Sequence, residues 1–449
     1  MALSGIQIYK FLPKTNCKEC GVPTCLAFAM ALAGGKAELA KCPYISDEGK
    51  AALSEASTPP IRALAIGAGD SQVKLGGETV LFRHEKTFVN KTGLAMLLTD
   101  EMDNAEIDAR LARFGELQYD RIGLTLKGDL FAVKSLSGDK DKFLGLINKA
   151  KDVAGAEFVL MADSVDLLKA DAEALAGRKP LLYAATADNV DEMGALAKET
   201  GCPLAVKADG LDNVAALTEK LVGMDVKDLV IDTGSREIKQ AFSDQIAFRR
   251  GPLLKKYKPW GYPTIAFPCE MTDDPIKEAL YAGTFIAKYA GILVLSNFYG
   301  ETLFPLLLQR LNIYTDPQRP MVTEPMVYEI GAVTDDSPML VTCNFALSYF
   351  IVSGEIEASR IPARLLVVDT EGLSVLTAWA AGKFAGDLIG MAVKKAGIPD
   401  QFKNRKIIIP GVSAIISGEL EEELGTDWEV LIGPREAANI TPFLKEMSN

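Results

Sequence analysis

Short apolar runs alternate with amphipathic helical stretches from residue 61 to about residue 320. This alternation is typical of parallel strands that are connected by helices. Eight strand candidates favour a (β/α)8 TIM barrel over the alternative, an open doubly wound sheet, which usually contains fewer units. The predicted strands are 79–82, 121–126, 158–161, 181–184, 204–206, 229–231, 264–267 and 292–295.

The stretch before this pattern, residues 61–78, contains four glycines and predicts a hairpin ahead of the barrel. Helical patterns separate the predicted strands, and several begin at Asp, Asn or Ser, the residues that cap helix N-termini. The predicted helices are 103–117, 140–154, 165–175, 189–200, 211–221, 235–248 and 275–289.

A second α/β pattern begins near residue 325, after a linker that contains Asp316-Pro317, Arg319-Pro320 and Glu324-Pro325. Its size and alternation predict a small Rossmann-like or flavodoxin-like domain. The predicted strands are 339–342, 365–369, 406–409 and 429–432, and the predicted helices are 345–358, 374–381, 386–396, 414–424 and 437–446.

Prolines and composition divide the chain into three parts. The length of 449 residues suggests three domains, at about 150 residues per domain. Pro59-Pro60 ends a small cysteine-rich segment. We therefore predict an α/β protein with an N-terminal domain at 1–58, a barrel at 61–320 and the second α/β domain at 325–449.

Four of the seven cysteines, Cys17, Cys20, Cys25 and Cys42, form the pattern C-x2-C-x4-C-x16-C, and Pro43 follows the last one. A Gly- and Pro-containing loop with three thiolates, and a fourth that returns after a helix, suits a [4Fe–4S] cluster. The alternative is a zinc site with four cysteine ligands. Zinc prefers two C-x2-C pairs, and the second pair is missing here. Electron transfer by the cluster is favoured, and a purely structural role stays open.

Cys202, Cys269 and Cys343 are scattered, and we expect them to be small buried apolar residues. His84 is the single histidine. A zinc hydrolase with two or three histidine ligands is therefore excluded, and so is a Ser-His-Asp triad that does not use His84.

The chain carries 60 acidic and 48 basic residues, which gives a net charge of −12. This balance argues against non-specific nucleic-acid binding and against docking on anionic membranes. We identify no apolar run of membrane-spanning length and no secretory signal in residues 1–16, so we expect a cytoplasmic protein.

Three strand ends of the C-terminal domain carry residues that suit a ligand. Residues 369–374 supply hydroxyls and a glycine, residues 409–413 do the same, and residues 432–436 supply a glycine without hydroxyls. Ligands of open α/β sheets bind at these carboxyl ends, and glycine permits close approach of a large planar or phosphorylated group. Ordinary strand-to-helix turns use the same residues, so this alternative stays open.

The predicted barrel strands end near Asp163, Asp209, Asp232, Glu270 and Asn297. Barrel active sites lie at that face, and two carboxylates there could perform acid–base chemistry. The alternative is that these side chains cap the following helices or are solvated.

The segment from Thr15 to Ala29, which contains the first three cysteines, resembles the large (gamma) subunit of corrinoid iron–sulfur proteins of the acetyl-CoA synthase/carbon monoxide dehydrogenase system. The order of a cluster domain, a barrel and a small α/β domain extends this resemblance over essentially the whole chain. The resemblance implies that Cys17, Cys20, Cys25 and Cys42 hold the cluster and that the C-terminal domain binds a cobalamin-type corrinoid. The predicted corrinoid-binding residues are Leu340, Thr342, Ala346, Thr370, Glu371, Gly372, Leu373, Ser374, Gly411 and Gly433.

Many cobalamin domains ligate cobalt with the histidine of D-x-H-x-x-G, and this sequence lacks that motif. The expected corrinoid is therefore base-off without a protein histidine ligand, which makes Co(II) easier to reduce. The resemblance implies a methyl carrier. Its cob(I)amide accepts CH3 from methyltetrahydrofolate through a separate methyltransferase, and methyl-Co(III) donates it to the nickel site of acetyl-CoA synthase. The cluster returns Co(II) to Co(I).

The implied partners are a small barrel subunit that forms a heterodimer and covers the cobalamin, the methyltetrahydrofolate:corrinoid methyltransferase, and acetyl-CoA synthase. Two other functions stay open. One is an iron–sulfur electron-transfer or scaffold subunit without corrinoid. The other is a barrel methyltransferase that binds methylpterin itself through a strand-end carboxylate such as Asp209 or Asp232.

Overall fold

A computed structural model describes residues 5–33, 37, 39–46, 49–50, 53, 59–121, 124–175, 177–316, 320–398 and 403–448. The chain divides into two compact units. The first comprises Met1–Gln118 and Lys127–Tyr314, and the second comprises Tyr119–Leu126 and Thr315–Asn449. A separate domain at 1–58 stays a prediction. Within the described ranges, every helix is too short or too polar to cross a membrane.

Eight parallel strands of the first unit form one sheet that closes into a barrel. An isolated parallel bridge between Ile231 and Thr264 joins the first and last strands of the sheet order. The predicted TIM barrel is therefore confirmed. The barrel strands are β3 (Gly93–Thr99), β6 (Leu130–Lys134), β7 (Glu157–Met161), β8 (Leu181–Ala185), β9 (Leu204–Lys207), β10 (Leu229–Asp232), β11 (Ile265–Ala266) and β12 (Ile292–Leu295).

The first two predicted barrel strands are wrong. Residues 79–82 enter a turn, because the backbone N–H groups of Leu81 and Phe82 donate to Glu85 Oε2. The first barrel strand is instead β3, whose Gly-Leu-Ala-Met-Leu-Leu-Thr sequence lacks the β-branched residues that usually signal a strand, apart from its last residue. Residues 121–126 belong to an antiparallel pair of the second unit, β4 (Tyr119–Arg121) and β5 (Leu124–Leu126).

The predicted hairpin is confirmed. Strands β1 (Leu64–Ile66) and β2 (Val73–Leu75) pair antiparallel. Ile66 and Leu75 are fully buried and pack in one cluster with Leu130 and other residues of the barrel strands. The hairpin therefore closes part of the barrel core with apolar side chains.

Helices follow the barrel strands and pack around them. Asp103, Asp139, Ser164 and Asp274 cap four of them by accepting hydrogen bonds from backbone N–H groups of the first turn. The helices are α3 (Asn104–Glu116), α4 (Lys140–Ala150), α5 (Val165–Ala174), α6 (Val190–Thr200), α7 (Leu211–Gly223), α8 (Ile238–Lys255), α9 (Pro275–Ala287) and α10 (Gly300–Ile313).

The second unit contains a five-stranded sheet in the order β13-β15-β14-β16-β17. All strands are parallel except β13, an edge strand that the sequence pattern did not predict. The elements are β13 (Val327–Ile330), β14 (Met339–Cys343), α11 (Ala346–Ser359), β15 (Ala363–Val368), α12 (Val375–Ala380), α13 (Gly386–Lys395), β16 (Lys406–Ile409), α14 (Ser417–Leu424), β17 (Glu429–Ile432) and α15 (Ile440–Met447).

Helices cover both faces of this sheet. Ile356 of α11 and Leu444 of α15 belong to one apolar cluster, whereas Ile389 of α13 and Leu420 of α14 belong to another. The four parallel strands are ordered second, first, third, fourth, which is the doubly wound arrangement. The predicted Rossmann-like or flavodoxin-like topology is therefore observed.

The cysteine-rich segment contains helices α1 (Gly5–Tyr9) and α2 (Cys25–Ala33). Ile8, Leu12 and Phe28 are buried in a small apolar cluster together with Cys25 and Cys42. The helix that the sequence predicts between Cys25 and Cys42 is observed in the described part up to Ala33, and residues 34–36 and 38 lie outside the described residues.

Candidate functional site

A crevice lies at the carboxyl edge of the five-stranded sheet, between β14 and β16, where the strand order reverses. Its volume is about 200 Å³. Such a reversal is where open α/β sheets bind ligands. The lining is mostly apolar and consists of residues 340–342, Ser348, Ile351, Val352, Val375, 408–410, Val412, 433–435, Ala437 and Ile440.

Three predicted corrinoid-binding residues, Leu340, Thr342 and Gly433, line this crevice. Gly411 lies directly beside it, because its N–H donates to Pro434 O at 3.1 Å. A Cβ at Gly411 would lie 2.4 Å from Gly433 O. The two turns therefore touch through their backbones, and glycine is required at position 411.

The structure places the other predicted residues beside the crevice rather than in its lining. Ala346 begins α11, and residues 370–374 form the loop between β15 and α12. Val375, the first residue of α12, directly follows this loop and also lines the crevice. Apart from Leu340, which lies inside β14, the predicted set therefore lies at or near the carboxyl edge of one sheet, and its assignment as a corrinoid site stays a prediction.

Asn344, which the sequence pattern did not identify, organises this loop. It is buried, and its Oδ1 accepts hydrogen bonds from Thr370 N at 3.0 Å and from Gly372 N at 2.9 Å. Its Nδ2 donates to Asp369 Oδ1 at 2.9 Å. The one available sequence signal was an amide immediately after the apolar strand β14. One side chain thus connects the ends of two neighbouring strands.

The loop has unusual backbone angles. Glu371 has φ 55° and Gly372 has φ 78°. The side chain of Glu371 forms an ion pair with Lys383 Nζ. A Cβ at Gly372 would lie 2.7 Å from Pro320 Cγ, so only glycine fits this close approach.

The four cysteines of the N-terminal motif are free thiols. Cys25 and Cys42 are buried in the apolar cluster of this segment, and Cys20 packs against it. Cys25 N donates to Asn16 Oδ1 at 2.8 Å, so Asn16 fixes the start of α2. Asn16 itself has a positive φ of 49°. The segment between Asn16 and α2 is therefore fixed by the side chain of Asn16 rather than by regular secondary structure.

Within the described ranges, no group of three or more Cys, His, Asp or Glu side chains is close enough to hold a metal ion. The four thiols therefore do not converge in this structure. The four cysteines supply soft sulfur donors, and three of them lie in or against one group of apolar side chains. Such donors are the usual ligands of an iron–sulfur cluster. Nearby, Tyr44 donates to Glu19 Oε1 at 2.8 Å, and this hydrogen bond raises the pKa of Tyr44. The ligand role of the cysteines stays a prediction.

The mouth of the barrel is occupied by paired charges. Arg236 binds both carboxylate oxygens of Asp232, at 3.1 and 2.9 Å, and also pairs with Glu270. Lys134 Nζ lies 3.2 Å from the other Glu270 oxygen. Tyr183 donates its hydroxyl to Asp232. These side chains form one network across four strand ends.

The network sets the protonation of its members. Burial favours the neutral form of Glu270, but the hydrogen bonds and charge of Arg236 outweigh it and lower the pKa of Glu270. Burial and the charge of Asp232 raise the pKa of Tyr183. The hydrogen bonds and charge of Asp232 raise the pKa of Arg236 against its desolvation. Asp232 and Glu270 are both paired with Arg236, and this pairing disfavours a general-base role at this mouth.

Of the other predicted strand-end side chains, one binds the local backbone and two are exposed. Asn297 Oδ1 accepts from Phe298 N at 2.8 Å, whereas Asp163 and Asp209 are exposed. The scattered cysteines Cys202 and Cys343 are buried, as predicted. Cys269 is only partly buried by neighbouring atoms, and burial raises the pKa of its thiol.

Comparisons with protein families match two ranges of the chain. Residues 63–444 match the family described as CO dehydrogenase/acetyl-CoA synthase delta subunit. Residues 12–44 match a family described as putative Fe–S cluster. The first match spans the barrel and the second unit, and the second spans the cysteine motif.

The chain is also similar to curated proteins along its whole length. It is 45% identical over 445 residues to the corrinoid/iron–sulfur protein large subunit of Moorella thermoacetica, covering 99% of each chain. It is 33% identical over 462 residues to the acetyl-CoA decarbonylase/synthase complex subunit gamma of Methanothermobacter thermautotrophicus, covering 100% of each. The subunit gamma of Methanopyrus kandleri is 34% identical, with 99% of this chain and 98% of that protein covered.

Proposed function

The chain belongs to the family of corrinoid/iron–sulfur protein large subunits and acetyl-CoA decarbonylase/synthase gamma subunits, and from this membership we propose that it is a methyl-group carrier whose corrinoid binds at the carboxyl edge of the five-stranded sheet. The observation that carries the proposal is the apolar crevice at the strand-order reversal, flanked by the loop that Asn344 organises.

The residues of this edge fit a corrinoid, which is large, planar and mostly apolar. Leu340, Thr342 and Gly433 line the crevice, and the turn at Gly411 brings backbone rather than side chains to its rim. In the adjoining loop Glu371, Leu373 and Ser374 are at least partly exposed, whereas Thr370, Gly372 and Ala346 are buried behind them. Glycines at both turns let neighbouring protein segments pack closely and so fix the shape of this edge.

When bound, the corrinoid supplies the cobalt that accepts a methyl group from methyltetrahydrofolate bound to a separate methyltransferase and then passes this methyl group to the nickel site of acetyl-CoA synthase. The chain supplies binding and the surroundings of the metal. Its single histidine, His84, belongs to the first unit and stacks on Phe82, with ring centroids 5.6 Å apart. The proposal is therefore a base-off corrinoid without a histidine ligand from the protein.

Cys17, Cys20, Cys25 and Cys42 would hold a [4Fe–4S] cluster, whose low potential suits the return of oxidised corrinoid to its reactive state. The match of residues 12–44 to a putative Fe–S cluster family supports this assignment. Convergence of the four thiols would accompany binding of the cluster.

The carboxyl edge of the second unit also suits coverage by another protein. Leu347, Leu376 and Ile415 each follow a parallel strand of this sheet and are 56%, 53% and 76% exposed. Their apolar side chains fit the small barrel subunit that would form a heterodimer over the corrinoid. The relatives that are named as complex subunits support such an assembly.

The test is anaerobic purification of the chain with its small subunit, followed by metal analysis and visible spectra during stepwise reduction. The expected result is one cobalt and a full four-iron cluster per chain, with a Co(I) band that appears at low potential. Iron without cobalt, even after corrinoid is offered, would contradict the carrier and favour the electron-transfer subunit.

A second assay separates the carrier from a barrel methyltransferase. The chain alone is expected to transfer no methyl group from methyltetrahydrofolate to free cobalamin, because Asp232 and Glu270 are already paired with Arg236. Transfer by the chain alone, abolished by Asp232→Asn, would overturn the carrier assignment.

A further inference from the structure

The loop after β15 carries four oxygen-bearing side chains, and each of them has a partner within the second unit. The Ser374 hydroxyl lies 3.1 Å from the Thr377 hydroxyl. Asp369 Oδ1 accepts from Asn344 Nδ2 at 2.9 Å and from Glu371 N at 3.0 Å. The Thr370 hydroxyl lies 2.8 Å from both Asn344 Oδ1 and Leu373 O, and its hydrogen serves one of them at a time. Glu371 pairs with Lys383.

This arrangement matters for a metal that is bound nearby. Carboxylate and hydroxyl oxygens are potential metal ligands. An axial oxygen donor stabilises the higher oxidation states of a metal and makes its reduction harder. Side chains whose oxygens are hydrogen-bonded or ion-paired within the protein would be less available as ligands of such a metal.

Asn344 suits this task because its amide has an acceptor and a donor at opposite ends. The acceptor faces the N–H groups of Thr370 and Gly372, and the donor faces the carboxylate of Asp369. The reversed amide would place its NH2 against two N–H groups and its oxygen against a carboxylate, so the observed orientation is the favourable one. A carboxylate at position 344 would keep the acceptor and lose the donor.

The backbone that carries Asn344 is itself held by the segment that contains Met321 and Thr323. Thr323 N donates to Asn344 O at 2.9 Å, and Ala346 N donates to Met321 O at 3.0 Å. Asn344 is only 3% exposed, and Thr370 is only 1% exposed. The amide therefore sits on a fixed backbone, and loss of its hydrogen bonds would act on the loop rather than on its own strand.

We propose that Asn344 is a positioning residue that holds residues 369–372 in their closed turn and thereby keeps the loop oxygens off the metal of the bound corrinoid. The inference rests on the proposed function and deepens it, because it assigns to one buried amide the loop conformation in which these oxygens would stay bound within the protein.

The experiment compares the full chain, purified with its small subunit, as wild type, Asn344→Ala, Asn344→Asp and the double variant Asn344→Asp with Asp369→Asn. The double variant exchanges amide and carboxylate between the two positions and so restores a donor and an acceptor across the contact. Asn404→Ala is the matched control. Asn404 also binds a loop at a strand end, by donating to Asp336 O at 2.7 Å, but it precedes β16 at the opposite edge of the sheet.

The first readout needs no corrinoid. Hydrogen exchange of the Thr370 and Gly372 amides is expected to be about tenfold faster or more in Asn344→Ala, as befits the loss of buried hydrogen bonds. The control and the double variant are expected to exchange at the wild-type rate. Circular dichroism of each variant checks that the sheet is folded.

The second readout uses the chain loaded with corrinoid. Asn344→Ala and Asn344→Asp are expected to show the Co(II) electron paramagnetic resonance signal of axial oxygen ligation and a more negative Co(II)/Co(I) midpoint potential. The double variant and Asn404→Ala are expected to match wild type.

Unchanged exchange and an unchanged cobalt signal in Asn344→Ala, with wild type fully loaded, would overturn the role of Asn344 and leave the proposed function intact. Faster exchange with an unchanged cobalt signal would overturn the link to the metal. A wild-type chain that takes up no corrinoid would overturn the proposed function itself and this inference with it.

Discussion

The two parallel sheets of this protein end in opposite ways at their carboxyl edges. In the barrel, Arg236 and Lys134 neutralise Asp232 and Glu270, and the charges meet across the mouth. In the second unit, polar groups such as Asn344 bind the backbone of a neighbouring loop, and the adjoining crevice is lined mainly by apolar side chains. Both folds place ligand-binding residues at this edge. The pairing of the side chains decides which edge is open to a large apolar ligand.

The largest expected effect comes from breaking the charge network of the barrel. Arg236→Met leaves Asp232, which is 1% exposed, without its cation. We expect a loss of unfolding free energy on the order of 3 kcal/mol, because one buried partner of an ion pair remains uncompensated. Urea unfolding at pH 8 measures it.

The matched control is Arg62→Met, since Arg62 pairs with Asp228 at 3.1 Å while both side chains are at least 36% exposed. That change should cost less than about 1 kcal/mol. Equal effects of the two substitutions would mean that the barrel network is no more than a surface contact.

A buried carboxyl of the barrel unit, Asp171, tests the same difference between paired and unpaired carboxyl groups. Asp171 of α5 is 1% exposed, and neither carboxylate oxygen has a hydrogen-bond partner among the described residues. Burial raises the pKa of Asp171 to about 7, whereas the paired Glu270 has a lowered pKa. Pairing, rather than burial, therefore keeps a barrel carboxyl charged.

Because the pKa of Asp171 is higher in the folded than in the unfolded state, its ionisation destabilises the fold as pH rises from about 4 to 7 and the penalty is constant above that. Asp171→Asn should remove this dependence. We expect its gain in unfolding free energy over wild type to be about 2.5 kcal/mol larger at pH 8 than at pH 5. Urea unfolding at both pH values is the measurement, and a gain that does not change with pH would contradict the assignment.

A smaller effect is expected at the loop of the second unit. Gly372→Ala combines a positive φ of 78° with a contact of 2.7 Å to Pro320 Cγ. We expect the free energy of unfolding to fall by about 2 kcal/mol and hydrogen exchange around residues 370–373 to become faster. Thermal unfolding and exchange measure these effects.

Gly382→Ala is the control for backbone conformation alone. Gly382 has φ 68°, and nothing lies within 4 Å of its hypothetical Cβ. The Gly382→Ala variant should lose about 1 kcal/mol of unfolding free energy, and hydrogen exchange at residues 370–373 should stay unchanged. If both variants behave alike, the contact with Pro320 does not hold the loop.

The smallest expected effect belongs to the exposed ion pair of this loop. Lys383→Met removes the partner of Glu371, whose side chain is 71% exposed. The change in unfolding free energy should stay within about 0.5 kcal/mol. A loss as large as that of Arg236→Met would erase the distinction between the two carboxyl edges.

The sequence pattern predicted most of the secondary structure that positions the site. Strands β14 and β16 lie within one residue of their predicted bounds, because they are continuous apolar runs that are bounded by turn residues. The first barrel strand was predicted wrongly for a physical reason. Strand β3 has a composition that suits a helix equally well, and its place at the centre of the barrel sheet comes from pairing with β6 and β12.

The candidate site was predictable in part for the same reason. The loop residues from Thr370 to Ser374 follow an obvious strand, so their location at a carboxyl edge could be read from the sequence. Asn344 could not be assigned, because its partners lie 25 to 28 residues away along the chain. The pairing of Arg236 with Glu270 spans 34 residues and was equally hidden.

The sequence by itself determined the alternation of strands and helices, the separate second α/β pattern, the cysteine spacing and the family resemblance. These are local or near-local signals, set by side-chain periodicity and turn chemistry. Only the tertiary structure decided which polar groups meet. It paired the barrel carboxylates with cations and turned Asn344 toward the neighbouring loop, because hydrogen bonds and ion pairs depend on distances in space that periodicity does not encode.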